Sequence, residues 1–189
     1  DWLLSYQISF TNWGNGLTKT LDMLYEEIRN GECDLVAPPP MRSLSVVQVL
    51  IIQDGKVLLE KEQVLCDNRV RKREVPPSEK MLAWEDCHQA AIRCVVEELQ
   101  ISEDKISVLT KNCSSFVKQR ESSSYPGLQS QYILYPVEVR VPALPQQEFW
   151  TDEKTGDGGD HVIGQHKWGW EPWKSLEELM AKSFPDETD

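Results

Sequence analysis

Hydrophobic positions along this chain change period from one stretch to the next. From Ser43 to Ile52 (SLSVVQVLII) β-branched and aliphatic residues run almost unbroken, which predicts a buried strand. Asp54-Gly55 is a tight-turn signal, so Lys56 to Glu60 is expected to return as a second strand. Gln131 to Val141 (QYILYPVEVRV) predicts another strong strand, with Pro136 pointing to an edge or a bulge. Between these, Asp86 to Gln100 switches to the helical period. His88, Ile92, Val95 and Leu99 form one mostly apolar stripe behind a plausible N-cap, Asp86. Leu17 to Arg29 reads as an amphipathic helix stopped by Asn30-Gly31. Residues 1–13 alternate loosely, as an edge strand would. Shorter strands are expected at Ile106–Leu109 and Ser114–Lys118, an exposed one within Val64–Lys72, and a closing helix at Ser175–Lys182. The prolines at 38, 39 and 40 make Val36–Pro40 an extended connector. They divide an N-terminal appendage and connector, 1–40, from a core domain, 41–189.

Composition narrows the class. A chain of 189 residues suffices for one well-cored domain and is short for two. Its net charge of −11 argues against general affinity for nucleic acid or anionic membrane, which would repel it, although Arg69–Arg73 (RVRKR) is a local basic patch. No apolar run approaches the ~18 residues of a spanning helix. No signal-peptide pattern opens the chain, and a start at Asp1 without methionine fits a piece of a larger protein. The five cysteines are odd in number and show no C-x-x-C pair, which suggests free thiols in an intracellular, reducing compartment. A zinc site from Cys87, His88 and Cys94 lacks a nearby fourth ligand, so buried apolar thiols are the preferred reading.

Candidate chemistry gathers on the second face of the 86–100 helix, where Arg93, Cys94, Glu97 and Glu98 are neighbours. Adjacent carboxylates on a rigid helix suit a hard divalent cation such as Mg²⁺; a solvated charged face is the plainer alternative. The stretch Glu79–Ile101 resembles the signature box of the Nudix superfamily, G-x5-E-x7-R-E-U-x-E-E-x-G-U with U apolar. Glu85, Arg93, Val95, Glu97, Glu98 and Ile101 match in register. Glu79 and Gln100 stand where the box has glycine, and Cys94 where it has glutamate.

The resemblance implies a Nudix-like α/β/α sandwich with a mixed sheet, here carrying an N-terminal helical appendage. It implies Mg²⁺ held by Glu85, Glu97 and Glu98, weakened by Cys94, with Arg93, Glu97 and Glu98 as the catalytic set if the domain is active. Restoring glutamate at 94 is then expected to strengthen metal binding. Glu138, Glu148, Asp152 and Glu153 are further acids outside the box. Trp168 and Trp170 are candidates to stack a ligand's base. Two functional classes fit. One is a degenerate domain that binds or scaffolds, recognising a nucleoside diphosphate derivative or a protein partner, with hydrolysis weak or lost. The other is a divergent Mg²⁺-dependent pyrophosphohydrolase of nucleoside diphosphate derivatives. The departures at Glu79, Cys94 and Gln100 favour the first.

Overall fold

A computed structural model describes residues 2–16, 18–65, 68–152 and 163–183. Its elements are α1 (Trp2–Ser5), α2 (Leu21–Arg29), β1 (Asp34–Val36), β2 (Met41–Gln53), β3 (Lys56–Leu65), β4 (Val70–Val75), β5 (Ser78–Lys80), α3 (Cys87–Leu99), β6 (Ser107–Val108), β7 (Phe116–Glu121), β8 (Gln129–Arg140), β9 (Phe149–Asp152), β10 (Ile163–Pro172) and α4 (Leu176–Ser183). The strands form one mixed sheet, ordered β6-β8-β2-β3-β10-β9 along its main path, with β1 and β5 also on β2, β4 on β3 and β7 on β8. The long β2–β8 pairing is parallel, Met41 opposite Gln129 through Ile51 opposite Val139. The remaining pairings among the described residues are antiparallel.

Strand β2 explains the layering. Val47, Val49 and Ile51 point to one face and pack with Leu58, Val137, Val139 and Trp168 against Ala90, Ala91, Val95 and Leu99 of α3. The intervening residues point the other way. Leu44 and Val46 meet Leu24 and Ile28 of α2, and Leu50 and Ile52 meet Leu176, Leu179 and Met180 of α4. Helices thus cover both faces of a mixed sheet, the α/β class expected from the sequence. The strand is buried on both sides, so it shows an unbroken apolar run rather than alternation.

Local chemistry sets the boundaries. Asp86 caps α3 by accepting from the His88 and Gln89 N–H groups, and Gln89 returns a side-chain bond to the Asp86 N–H. At the other end Gln100 takes the left-handed conformation, φ 57°, that glycine adopts at a helix C-cap. The backbone demand for glycine at this box position therefore persists although the residue is glutamine. Asp54 and Gly55 both have positive φ, as a two-residue hairpin turn requires. Pro136 lies inside β8. Its missing N–H falls in the interval between β7, which pairs as far as Leu134, and β6, which pairs from Val139, so no ladder bond is lost.

Two expectations need correction. Residues 2–13 form the short helix α1 and turns, not an edge strand: Trp2, Leu3, Ile8, Phe10 and Trp13 fold onto α2 in a core shared with Leu44, Tyr125 and Leu128. Helix α2 begins at Leu21 because the Thr20 hydroxyl accepts from the Met23 N–H and fixes the start there. The exposed strand expected within Val64–Lys72 is β4, which begins at Val70 and runs on to Val75, pairing Val70 with Val64 of β3. Just before the connector, β1 pairs with Met41–Ser43 of β2. The TGDGGD turn, Glu153 and Cys66 lie outside the described residues.

Candidate functional site

Register alone places several acids on the α3 side of the sheet. Glu79 on β5 lies opposite Val47, whose side chain packs under α3, and directly opposed residues share a face. Glu60 on β3 lies two residues beyond Leu58, and opposite Trp168, both in the same core. The last turn of α3 brings Glu98 over these strands, and the Thr151 hydroxyl on β9 donates to the Glu98 backbone carbonyl, 2.6 Å.

Glu98 is the unusual group. It is buried, with 8% of its surface exposed, and its Oε2 has no hydrogen-bond partner. Burial pushes its carboxyl well above the usual range, and the charges of Glu60 and Glu79 push it further. Glu60 is buried too, but paired: one oxygen lies 2.5 Å from His166 Nδ1 and the other forms an ion pair with Arg73 Nε, 3.0 Å away. Burial also raises the Glu79 carboxyl, against the pull of Arg93 3.9 Å away.

The other expected box residues are engaged differently. Arg93 is a clamp: its guanidinium donates to both oxygens of Glu85, 2.6 and 2.9 Å, to Glu97, 3.1 Å, and to the Lys80 carbonyl, 2.7 Å. Glu85 also accepts from the Leu82 N–H. Burial opposes charge on Glu85, but these bonds hold its carboxyl below the usual range. Glu85 thus fastens the box loop to the helix, and Glu97 sits half-exposed on the arginine. Glu85, Glu97 and Glu98 are not gathered around one point: among the described residues the one group of three or more metal-ligating side chains whose ligand atoms lie within 4.8 Å of one another is Cys87, His88 and Cys113. Cys94 lies on the same helix side as Glu98, fully buried, its thiol pushed up by burial and then by the charges of Glu98 and Glu79.

Trp168 is core, not platform. Fully buried, it donates from its indole N–H to Thr151, 2.8 Å, and stacks on His166. Trp170 is half-buried and bonded to the Pro145 carbonyl. Trp84 and Trp150 are the largely exposed rings, 72% and 48%. Glu138 and Asp152 are exposed, and Glu148 is exposed and paired with Lys167, so none of these joins Glu98. Free thiols were expected throughout, but Cys87 and Cys113 are joined; Cys33 and Cys94 are free and buried.

Sequence reasoning missed Glu60 and His166 because β3 and β10 bring them together across 106 positions of sequence. The RVRKR patch was the available signal. It falls on β4, antiparallel to β3, so Arg73 reaches Glu60 and Arg71 lies opposite Gln63. Burial, and then the charges of Arg73 and Arg120, lower the Arg71 pKa; Arg120 in turn lies over the Tyr132 ring, 5.0 Å from its centroid. A cationic group thus flanks an acidic one. Hard carboxylates with an unsatisfied buried oxygen fit a divalent cation, and neighbouring guanidiniums fit phosphate oxygens.

No family model and no curated protein matches the chain. Solved structures similar to it include a NUDIX hydrolase from Nitrosomonas europaea, 18% identical over 77% of this chain and 82% of that chain, TM-score 0.39. They also include the E. coli ORF135 protein, 22% identical over 74% and 79%, TM-score 0.37. A third is a C. elegans Ap4A hydrolase binary complex, 16% identical over 77% and 87%, TM-score 0.38. At these identities and scores nothing about activity carries over.

Proposed function

We propose that this is a Nudix-like domain that binds a nucleoside diphosphate derivative together with a divalent cation, with hydrolysis weak or lost. The observation that carries the reading is the buried Glu98 carboxylate, whose Oε2 is unpartnered beside Glu60. In it Glu98 is the carboxylate that would hold Mg²⁺. Glu60 and Glu79 are neighbouring acids that would have to move onto the ion, since the three do not converge within 4.8 Å in the metal-free fold. When bound, the ion neutralises diphosphate charge and activates water. Arg71 and Arg73 orient the phosphate oxygens from β4. Arg93 keeps β5 against α3 and thereby sets where Glu79 stands. Weak turnover is supported by the engagement of Glu85 and Glu97 on Arg93 and by a thiol, a poor Mg²⁺ ligand, at position 94.

The test pairs binding with turnover on the whole chain. Mg²⁺ with ADP-ribose as probe is expected to raise the melting temperature, and Glu98→Gln to remove the Mg²⁺-dependent part. Release of monophosphate products, measured at high protein concentration across a panel of nucleoside diphosphate derivatives, is expected to stay at the buffer rate. Turnover that Glu98→Gln abolishes would favour the hydrolase reading. Turnover that survives Glu97→Gln and Glu98→Gln together would move the site elsewhere.

A further inference from the structure

The opposite end of α3 holds a second cluster. Cys87 is the first residue of the helix and is buried; Cys113, in the loop between β6 and β7, is exposed and reaches back to it, the two Cα atoms 6.4 Å apart. His88 completes a group whose three ligand atoms lie within 4.8 Å of one another. His88 Nε2 is buried without a hydrogen-bond partner, an orphan that calls for an explanation. The acids of the candidate site are far away: Cys87 and Glu98 are eleven residues apart on one helix, about 16 Å along its axis.

We propose that Cys87, Cys113 and His88 form a zinc site, open when the two thiols are reduced and closed when they are joined as the disulfide. Two sulfurs and an imidazole are the donors Zn²⁺ prefers, and three protein ligands leave a fourth position for water. A thiol reductant opens the site: the S–S bond takes up two electrons and two protons while two reductant thiols become a disulfide. Zn²⁺ then displaces both thiol protons and binds the thiolates. Loaded, the site ties the first turn of α3 to the 109–115 loop. Cys94, grouped with Cys87 and His88 on sequence spacing, takes no part, since it packs beside Glu98 at the other end of the helix; Cys113 supplies the second sulfur.

The experiment uses the whole chain, reduced, freed of reductant under anaerobic conditions and titrated with Co²⁺ and then Zn²⁺. One equivalent of Co²⁺ is expected to give sulfur-to-cobalt charge-transfer bands that Zn²⁺ bleaches; the oxidised chain is expected to give none. Co²⁺ on Glu98 and its neighbours would lack those bands, so this result stands apart from the fate of the carboxylate site. Cys113→Ser, at an exposed position, is expected to weaken the bands, because only the Cys87 sulfur remains. Zn²⁺ affinity by chelator competition should drop by at least the ~10–100-fold that losing an outer-shell partner costs. His88→Gln is expected to keep the bands and bind at least about tenfold more weakly. Absence of the bands in the reduced chain overturns the proposal. So does their undiminished intensity in Cys113→Ser, which would place the second sulfur at Cys33, Cys66 or Cys94. Unchanged affinity in His88→Gln overturns the three-ligand site.

Discussion

Glu98→Gln separates a carboxylate kept for structure from one kept for a cation. The side chain is buried, one oxygen is unpartnered, and Glu60 stands nearby. Leaving a buried polar group unsatisfied costs about 1–3 kcal/mol, and more when it is charged. Glutamine has nearly the same shape, removes the charge and offers an N–H₂ toward Glu60. The metal-free variant is therefore expected to be more stable than the parent at pH 8 by about 1–3 kcal/mol, which for a chain this size raises Tm by about 2–12 °C. Burial first, then Glu60 and Glu79, raises the Glu98 carboxyl in the fold. Between the ordinary glutamate value and this raised one the folded chain binds more protons than the unfolded chain, so stability falls as pH rises through that window. The advantage of glutamine should thus fade toward pH 4, where both states hold the proton. Saturating Mg²⁺ should cancel or reverse this advantage, because a cation present at a hundred times its Kd adds about 2.7 kcal/mol to the parent and little to the variant. Calorimetric melting at pH 4 and pH 8, with and without Mg²⁺, reads all four corners. A variant less stable than the parent at both pH values, with no Mg²⁺ dependence in either, would refute the reasoning.

Three further substitutions probe the frame around this site. Glu27→Gln leaves Lys19, Arg42 and Lys80 without a carboxylate they now hold at 2.6–2.8 Å, and is expected to cost about 3–5 kcal/mol near neutral pH by urea denaturation. Burial opposes charge on Glu27, but the three cations bring its carboxyl down to about 2. Its contribution is therefore present above the ordinary glutamate value and lost as pH falls toward 2, where parent and variant should converge. Cys94→Glu, expected on sequence alone to help, puts a larger, charged side chain into a fully buried position beside Glu98; it should destabilise the metal-free chain by about 3–5 kcal/mol, with partial recovery in Mg²⁺, and no loss without Mg²⁺ would contradict the burial. Trp168→Phe loses the bond to Thr151 and some core volume, so about 1.5–3 kcal/mol of stability should disappear while ADP-ribose affinity, by calorimetry, stays close to the parent value; a selective affinity loss would restore the stacking role.

The parts of this structure that sequence made legible are those whose physics is local. The α3 boundaries follow from a capping residue and a 3.6-residue stripe, the β2–β3 hairpin from Asp54-Gly55, and the buried strands from their apolar runs. Acids on β3 and β5 could not be assigned to Glu98 in the same way. Their placement depends on the register of Val47 with Glu79 and of Trp168 with Glu60, pairings set by the whole sheet. Residues 1–13 misled for a related reason: alternation in so short a stretch also suits a helical turn and a coil that bury Leu3, Ile8 and Trp13 on α2. Trp168 was read from its neighbours in sequence, whereas its burial depends on α3 lying across it.

Charge bookkeeping along the box shows why Glu98 differs from its neighbours. Around Glu27 cations are in excess: Lys19, Arg42 and Lys80 share it, with Glu32 assisting on Lys80. Lys80 passes this support on through the chain, since its carbonyl accepts from Arg93, which in turn gathers Glu85 and Glu97. The appendage is thereby tied to the box through part-buried ionic contacts. At the end of α3 the balance inverts. Glu60 takes up Arg73 and His166, and Glu98 beside it gains no hydrogen bond to its Oε2. A folded chain that satisfies Glu27, Glu60 and Glu85 so fully, yet leaves one buried carboxylate oxygen facing other acids, is short of positive charge at that one point. Under the proposed function, a divalent cation would supply it with oxygen chemistry that an additional lysine would not reproduce. On the same proposal the adjoining Arg71 and Arg73 would extend the positive field outward, where a diphosphate would bridge from cation to guanidinium.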